Sequence, residues 1–414
     1  MSDETFELEL TVMAHGGLAL GRHDKQTIFV PYTIPGERIE ARIVEDKGRI
    51  AFAEGVTLIE ASADRVYPRC KHFGPGRCGR CQWQHIDYNA QLLLKQDVLA
   101  DQLERIGGFE DVDIQPVLPA PDIWHYNQHI TMLADEHGVP GFPATDDQRI
   151  ILIDECHIIH PDLLDVYESL DLQFDGLRRM QLQRGSDGAI MLILTMVNDN
   201  APELVADMPA SINMLLSDNE PVNLIGESHS RYEVNGHQFR VTAGSSFRPH
   251  VARIPTLVGI VQNMLDTVGA EAILDLYGGV GVFSAFLADR MSMITMIESY
   301  PPAVTDAETN LDMYDNIDLI EGTVEDVLLD LDEGYDAAIL DPAGDGLSVE
   351  ALDALVEAAL PTLVYVSSDP ATLARDAKRL AQQGYQLQTV QPIDLAPQTY
   401  YIDSVALLTH SRTR

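Results

Sequence analysis

The sequence has few basic residues and a large excess of acidic ones. Only five of its 414 residues are lysine, and 65 acidic against 27 basic side chains give a net charge of -38. Such a charge repels polyanions at long range, which excludes a broad basic nucleic-acid surface but not a local arginine patch. General surface acidity is also the pattern of salt adaptation, in which salt screens this repulsion.

Two further absences concern the membrane and secretion. The chain has no apolar run of about eighteen residues, which excludes a transmembrane helix. Its first ten residues, MSDETFELEL, lack the basic and apolar regions of a secretory signal. We therefore expect a cytoplasmic monomer with no membrane partner, and a chain of this length should contain two or three domains.

The N-terminal residues 6–60 alternate apolar and polar side chains in short segments. These segments include FELELTV, TIFVPY, RIEARIV and AFAEGVTLIE, and the turn-forming sequences AHGG and IPGE lie between them. The pattern predicts a small β-barrel. Barrels of this kind often present a nucleic-acid surface, but the pattern is equally consistent with a structural appendage.

Cysteine is rare, and three of the four cysteines are close together in the sequence. Cys70, Cys78 and Cys81 lie within twelve residues, CKHFGPGRCGRC, and Cys156 lies downstream in DECHIIHP. A CxxC pair among glycines lets thiolates converge on a metal. Two disulfides fit poorly with a cytoplasmic chain. We therefore predict a metal site, and the spacing alone leaves zinc and an iron–sulfur cluster open.

Residues 273–287, ILDLYGGVGVFSAFL, combine a buried strand, a glycine turn and the start of a helix. This is the first unit of a nucleotide-binding α/β sheet, although a tight connection without a ligand has the same pattern. A second strand ends at Glu298, about twenty residues past the glycines, where an acid can accept hydrogen bonds from a ribose diol. A third ends at Asp341, so we expect both carboxylates in one crevice.

Other segments complete the pattern of alternating strands and helices. Residues 110–240 read as mixed strands and helices. A buried strand over 363–366 leads to Ser367 and Ser368, and Pro370 suits the first turn of a helix. A final strand begins at Asp403.

These segments, in this order, resemble the SAM-dependent RNA 5-methyluridine methyltransferases of tRNA and rRNA. Residues 6–66 resemble their TRAM barrel, CGRCQWQHIDYNAQLLLK resembles their cluster motif, and DLYGGVGVFS resembles their SAM loop. YVSSDPATLARD and PQTYYIDSVALL are similar to the segments that carry the nucleophile and the base. The resemblance implies an α/β protein with a TRAM-like OB β-barrel (1–67), a central α+β domain with the cluster (68–240) and a Rossmann-like class I SAM methyltransferase domain (241–414).

The resemblance also implies cofactors, a partner and site residues. It implies S-adenosyl-L-methionine (SAM), a [4Fe–4S] cluster with zinc as the alternative, and tRNA or rRNA as the partner. The SAM-binding positions are Tyr277, Gly279, Gly281, Glu298 and Asp341, and the cluster ligands are Cys70, Cys78, Cys81 and Cys156.

The sequence differs from the family at its catalytic positions. The family reaction needs a cysteine thiolate that adds to C6 of uracil and a carboxylate that then removes the C5 proton. Here the nucleophile position is Ser368, next to Asp369, and the base position is Asp403, one methylene shorter than glutamate. Further differences are Tyr401 for a histidine, Gly344 and Asn127 for arginines, and Pro249 for a glutamine.

Three functions therefore stay open at this point. The chain is an active RNA methyltransferase, a non-catalytic member that binds RNA or another partner, or an iron–sulfur protein whose cluster senses redox state. Tyr277, Glu298 and Asp341 favour cofactor binding. The changes at Ser368 and Asp403 count against 5-methyluridine formation, because a serine hydroxyl is far less ionised than a thiol.

Overall fold

The structure is a computed structural model that describes residues 4–145, 149–170, 175–204, 209–331 and 334–410. Across these residues, no helix is both long enough and apolar enough to span a membrane.

The N-terminal part is a closed five-stranded barrel, as its alternating pattern predicts. Leu8 and Leu10 on the first strand point inward and are buried, while the alternating Glu7, Glu9 and Thr11 are exposed. The strands are β1 (Phe6–Met13), β2 (Ala19–His23), β3 (Gln26–Val30), β4 (Arg38–Asp46) and β5 (Ile50–Glu60). They close in the order β1-β2-β3-β5-β4.

A helical segment leads from the barrel and the cysteines toward the C-terminal part of the chain. Helix α1 (Tyr88–Gln102) continues as one turn of π-helix (Leu103–Gly107) and ends at Gly108, whose φ of 80° is left-handed. Asp87 caps the start of α1 by accepting a hydrogen bond from the N–H of Asn89. The short strand β6 (Asp113–Ile114) then joins the C-terminal sheet.

The middle of the chain forms a seven-stranded sheet with one helix and a separate hairpin. The strands of the sheet are β7 (His129–Ala134), β8 (Pro140–Pro143), β9 (Ile150–Ile151), β10 (Leu177–Arg184), β11 (Ile190–Met196), β12 (Ala210–Leu215) and β13 (Pro221–Ile225). Helix α2 (Pro161–Ser169) packs against β10. The strand order is β13-β12-β11-β10-β7-β8-β9. The hairpin consists of β14 (His229–Val234) and β15 (His237–Thr242).

The C-terminal part is an eight-stranded sheet with helices on its faces. Its elements are α3 (Ile254–Val268), β16 (Ala272–Leu276), α4 (Val282–Leu287), β17 (Met293–Glu298), α5 (Pro301–Leu311), β18 (Ile317–Glu321), α6 (Val324–Val327), β19 (Ala337–Leu340), α7 (Val349–Ala358), β20 (Thr362–Ser367), α8 (Pro370–Gln382), β21 (Tyr385–Ile393) and β22 (Asp403–His410). Short 3₁₀ turns cover Val251–Arg253 and Leu328–Asp330.

The strand order places a ligand crevice at the middle of this sheet. The order is β18-β17-β16-β19-β20-β22-β21-β6, and the first five of these strands are parallel. From β16 the chain moves outward to β17 and β18, then returns to the other side at β19. Ligands bind at such a reversal, beyond the carboxyl ends of the strands.

The predicted fold class, a Rossmann-like α/β domain with a β-barrel and a mixed central part, is confirmed. The domain boundaries at 67/68 and 240/241 remain predictions. The structure adds that Asp113–Ile114 pairs with β21 and that β15 packs on α5, so two pieces of the predicted central segment lie against the C-terminal part.

Candidate active site

The glycine turn after β16 has the backbone geometry that its sequence indicates. Tyr277, Gly279 and Gly281 all have left-handed φ values, of 61°, 58° and 86°. Gly281 has a second reason to lack a side chain, because an added Cβ would lie 2.8 Å from Cδ1 of Leu311. The turn therefore depends on glycine at 281 for both conformation and space.

Glu298 holds this turn in place from the end of β17. Its Oε2 accepts a hydrogen bond from the N–H of Gly279 at 2.8 Å. Its Oε1 accepts from the N–H groups of Ser299 and Tyr300, each at 2.8 Å. The carboxylate is thus fixed at the carboxyl edge of the sheet.

A cavity of about 540 Å³ lies over this edge, within the size range of small-molecule sites. It brings together four of the five residues predicted to bind SAM: Tyr277, Gly279, Glu298 and Asp341. The fifth, Gly281, lies behind the turn against α5 and does not line the cavity. We call this space the cofactor cavity.

A second cavity of about 450 Å³ adjoins the first. Its wall includes Ser368, Asp369, Tyr401 and Asp403, so it contains both residues at the predicted nucleophile and base positions. Residues that line both cavities are Arg248, Pro249, Gly344 and Ser368. Ser368 therefore stands where the two spaces meet, and we call the second space the substrate cavity.

Arg248 is the main residue of this junction that sequence reasoning missed. Its Nη2 lies 2.6 Å from Oδ1 of Asp341, and its Nη1 lies 3.6 Å from Oδ1 of Asp403. One guanidinium thus connects a predicted cofactor contact with the predicted base. The only sequence signal was an arginine next to a predicted site position, Pro249, in a chain that has few basic residues.

The carboxyl groups beside Arg248 have altered acidity. Burial raises the pKa of Asp403 to about 6, although the charge of Arg248 opposes the shift. Burial likewise raises the pKa of Asp341, and Arg248 opposes this rise as well. A carboxyl group with a pKa near 6 is suited to accept a proton close to neutral pH.

The backbone around Ser368 is fixed by its neighbour. Asp369 caps α8, since its Oδ1 accepts from the N–H groups of Ala371 and Thr372, each at 2.9 Å. A Cβ added to Gly344 would lie 3.6 Å from Oγ of Ser368, so the hydroxyl faces the shared wall of the two cavities.

The four cysteines converge, but not as closely as bound ligands would. Cys70, Cys78, Cys81 and Cys156 line one crevice, and all four are free thiols. Burial raises the pKa of each thiol, and for Cys78 the value is about 11. Within the described residues, no group of three or more Cys, His, Asp or Glu side chains is arranged to hold a metal ion. The donor set suits a thiolate-bound metal, while the thiols as placed are neutral and apart.

The remaining predicted positions separate into two groups. Gly344, Pro249 and Tyr401 line the substrate cavity. Asn127 does not line either cavity, and its N–H donates to the carbonyl of Ile158 in the central part of the chain. Asn127, which stands where the family has an arginine, therefore does not contact the junction of the two cavities.

Comparison with known proteins relates this architecture to one family. Residues 3–56 match the TRAM domain. An uncharacterized RNA methyltransferase of Streptomyces avermitilis is 32% identical over 98% of both chains. Another from Gloeobacter violaceus is 31% identical over 99% of this chain and 98% of its own. The crystal structure of Pyrococcus abyssi tRNA (uracil-54, C5)-methyltransferase in complex with S-adenosyl-L-homocysteine superposes with a TM-score of 0.73 at 24% identity, covering 98% of this chain and 100% of that chain. That likeness shows the shared fold.

Proposed function

The chain belongs to the RNA methyltransferase family, and from this premise we propose that it transfers the methyl group of SAM to a base of tRNA or rRNA. The observation that carries the proposal is the junction of the two cavities. A cofactor cavity and a substrate cavity share Ser368 and Arg248, so a methyl donor and an acceptor base can meet there.

Several features support SAM as the cofactor. Tyr277, Glu298 and Asp341 line a cavity at the reversal of the strand order, which is where nucleotides bind in such sheets. The Pyrococcus abyssi neighbour was solved with S-adenosyl-L-homocysteine, the demethylated form of SAM. When bound, SAM would supply the methyl group as an electrophile.

The chain's own residues would prepare the acceptor base. In the family chemistry at uracil C5, Ser368 takes the nucleophile position and Asp403 the position that removes the C5 proton. The raised pKa of Asp403, about 6, suits this role, because the group is ionised at neutral pH and still basic enough to take a proton. Arg248 would hold Asp403 and Asp341 in place on either side of the shared wall.

A local basic surface offers RNA a place to bind on this acidic protein. Residues 65–86 contain five arginine or lysine side chains and no Asp or Glu. An open cavity of about 440 Å³ there is lined by Tyr67, Arg69 and Arg77, with one acidic residue, Glu155, in its wall, and Tyr67 is 96% exposed. An exposed aromatic ring beside guanidinium groups suits single-stranded nucleic acid, since bases stack on the ring while phosphates meet the charges.

We also propose that Cys70, Cys78, Cys81 and Cys156 hold a [4Fe–4S] cluster, with zinc as the alternative. Protein purified without oxygen is expected to contain about four iron and four sulfide per chain, the stoichiometry of such a cluster. Iron, sulfide and zinc analysis checks this expectation. A Cys81→Ser variant should lose most of the iron, whereas zinc without iron in the unaltered protein would contradict the cluster.

The proposed function is tested by methyl transfer to unmodified RNA. The protein, tritiated SAM and tRNA or rRNA transcripts are expected to give labelled RNA, and nucleoside mass spectrometry then identifies the methylated base. Ser368→Ala should reduce labelling at uracil C5 by at least about 100-fold if Ser368 is the nucleophile. Ser292→Ala, which changes an exposed serine before β17 at the opposite edge of the sheet, is the control and should leave labelling unchanged.

The same experiment separates a second candidate function. The serine at the nucleophile position favours a non-catalytic member that binds RNA or a protein partner through the cluster domain. That candidate predicts RNA binding without label in any nucleoside. Label in a nucleoside other than 5-methyluridine would instead place the activity on an atom that needs no covalent adduct.

A further inference from the structure

The barrel contributes a residue to the wall of the substrate cavity. The loop that joins β1 to β2 carries His15, and this side chain lines the substrate cavity together with Ser368 and Asp369. The loop is closely docked, because the carbonyl of Gly17 accepts a hydrogen bond from Nε1 of Trp83 at 3.1 Å. A Cβ added to Gly17 would lie 2.8 Å from Cβ of Tyr400, so the barrel and the loop before β22 are in contact.

His15 is oriented by the residue next to Ser368. Its Nε2 lies 3.0 Å from Oδ2 of Asp369, whose other oxygen is engaged in the cap of α8. A carboxylate on Nε2 keeps the proton on that nitrogen, so Nδ1 of the neutral ring is the basic atom. In the described part of the chain, Nδ1 is buried and has no hydrogen-bond partner.

His15 and Ser368 line one small space. A crevice lined by His15, Ser368, Asp369 and Tyr400 has room for about one water, near 10 Å³. A base acts at hydrogen-bond distance or through one water. His15, Ser368 and Asp369 thus lie around one small space, and Asp369 holds one nitrogen of the histidine, as the aspartate does in a serine, histidine and aspartate set.

We propose that His15 is the acid–base partner of Ser368, so that the barrel supplies part of the active site; this inference rests on the proposed function. The Ser368 O–H bond breaks, and its proton passes to Nδ1 of His15, directly or through one water. Oγ forms a bond to C6 of the uracil as the C5=C6 electron pair shifts toward C4 and the C4=O4 pair moves onto O4. That pair then returns, and C5 would form a bond to the methyl carbon of SAM as the S–CH3 bond breaks, which would leave S-adenosyl-L-homocysteine and a tetrahedral C5 that carries one proton. When Asp403 later takes the C5 proton, the C5=C6 bond forms again, Oγ leaves C6 with its electron pair, and His15 returns the proton to it.

The charges of His15 and Asp369 favour the role of His15 as the acid–base partner of Ser368. Asp369 alone would oppose a negative charge on Ser368, and an imidazolium on His15 offsets the Asp369 charge. The other charged groups of the cavity, Arg248 and Asp403, face each other at 3.6 Å. The phenols of Tyr400 and Tyr401 complete the wall near His15.

His250 is the second histidine that lines the substrate cavity. It is a poor alternative to His15 as the base and serves as a control. Burial lowers the pKa of His250 to about 4, so its ring is a weak base. Its Nδ1 faces the carbonyl of Leu395 at 3.1 Å, and its ring stacks on Tyr126. It therefore lines the same cavity as His15 without contacting Asp369.

The test measures a thiol placed at the nucleophile position in the full-length protein. In Ser368→Cys, alkylation of the peptide that contains position 368 is followed by mass spectrometry as a function of pH. With His15 present, the introduced thiol is expected to titrate below about 7.5, compared with about 8.5 for a free cysteine. Adding His15→Gln should raise this pKa by at least one unit and slow alkylation at pH 7 about tenfold, while adding His250→Gln should not.

Equal thiol pKa values with and without His15→Gln would overturn the proposal, whether or not the protein methylates RNA. With active protein, His15→Gln is expected to cost at least about 100-fold in kcat when Ser368 is the nucleophile, the usual contribution of acid–base catalysis. In the Ser368→Cys background, His15→Gln should lower kcat by less than about tenfold, because a thiol ionises without a strong base. Equal losses in both backgrounds would mean a structural role and would also overturn the proposal.

Discussion

Replacement of Lys95 by methionine is expected to lower the free energy of unfolding by about 3–5 kcal/mol, the cost of leaving a buried charge without its partner. Nζ of Lys95 lies 2.7 Å from Oδ1 of Asp394, and the two side chains are 1% and 0% exposed. Nζ also donates to the carbonyl of Ala396 at 3.1 Å, and Oδ2 of Asp394 accepts from the hydroxyl of Tyr88 at 2.8 Å. The substitution would leave Asp394 buried without its ion-pair partner.

Urea unfolding followed by circular dichroism measures this loss. The control is Arg290→Met, which breaks an ion pair with Asp266 whose side chains are about half exposed. Such surface pairs contribute at most about 1 kcal/mol, so the two variants should differ clearly. Adding Asp394→Asn to Lys95→Met should recover part of the loss, and similar losses in the buried and the exposed variant would contradict the account.

The buried pair also matters for the site. Asp394 begins the segment that continues through Ala396 to Tyr400 and Tyr401 in the wall of the substrate cavity. Lys95 lies on α1 and pairs with Asp394, so α1 anchors this segment of the cavity wall. Lys95→Met is therefore expected to weaken methyl transfer more than SAM binding, because Lys95 contacts the substrate wall and not the cofactor cavity.

Replacement of Glu298 by alanine is expected to weaken SAM binding by about 100- to 1,000-fold. In this fold an acid at the end of the second strand accepts hydrogen bonds from the ribose diol, and bonds to a charged group contribute about 1.5–3 kcal/mol each. The substitution would also release the N–H of Gly279, which Glu298 holds at 2.8 Å. Both effects lower the affinity, one directly and one by loosening the glycine turn.

Glu321→Ala is the matched control for Glu298→Ala. Glu321 stands opposite Glu298 on the neighbouring strand and is exposed, and it does not line the cofactor cavity. Its replacement removes the same charge from the same edge and should leave the affinity within about twofold. Equal losses in the two variants would indicate a general charge effect, and no loss in Glu298→Ala would remove Glu298 from the site.

The sequence predicts those parts of the site that depend on local patterns. The turn at Tyr277, the acid at Glu298 and the strand end before Asp341 follow from periodicity and glycine placement, and the structure brings them to one cavity. Cys70, Cys78 and Cys81 likewise line one crevice, as their close spacing indicates, whereas Cys156 joins them from a distant segment. These features depend on a few neighbouring residues, whose conformations are strongly restricted.

The contacts that join distant segments could not be predicted in this way. Arg248 lies between Asp341 and Asp403, and His15 reaches Asp369 from another domain. No hydrophobic period or turn signal marks such pairs, because they arise from how whole elements pack. Net charge is also a poor guide to local surfaces. The total of -38 does not reveal that residues 65–86 contain no acidic side chain.

The most direct test of the central claim is calorimetric titration of SAM into full-length protein purified without oxygen. The account predicts one site per chain with a dissociation constant in roughly the micromolar range, which corresponds to about -8 kcal/mol. The product S-adenosyl-L-homocysteine should compete for the same site. No binding by either compound would contradict the account, because the cavity over Glu298 and Asp341 would then not be a cofactor site.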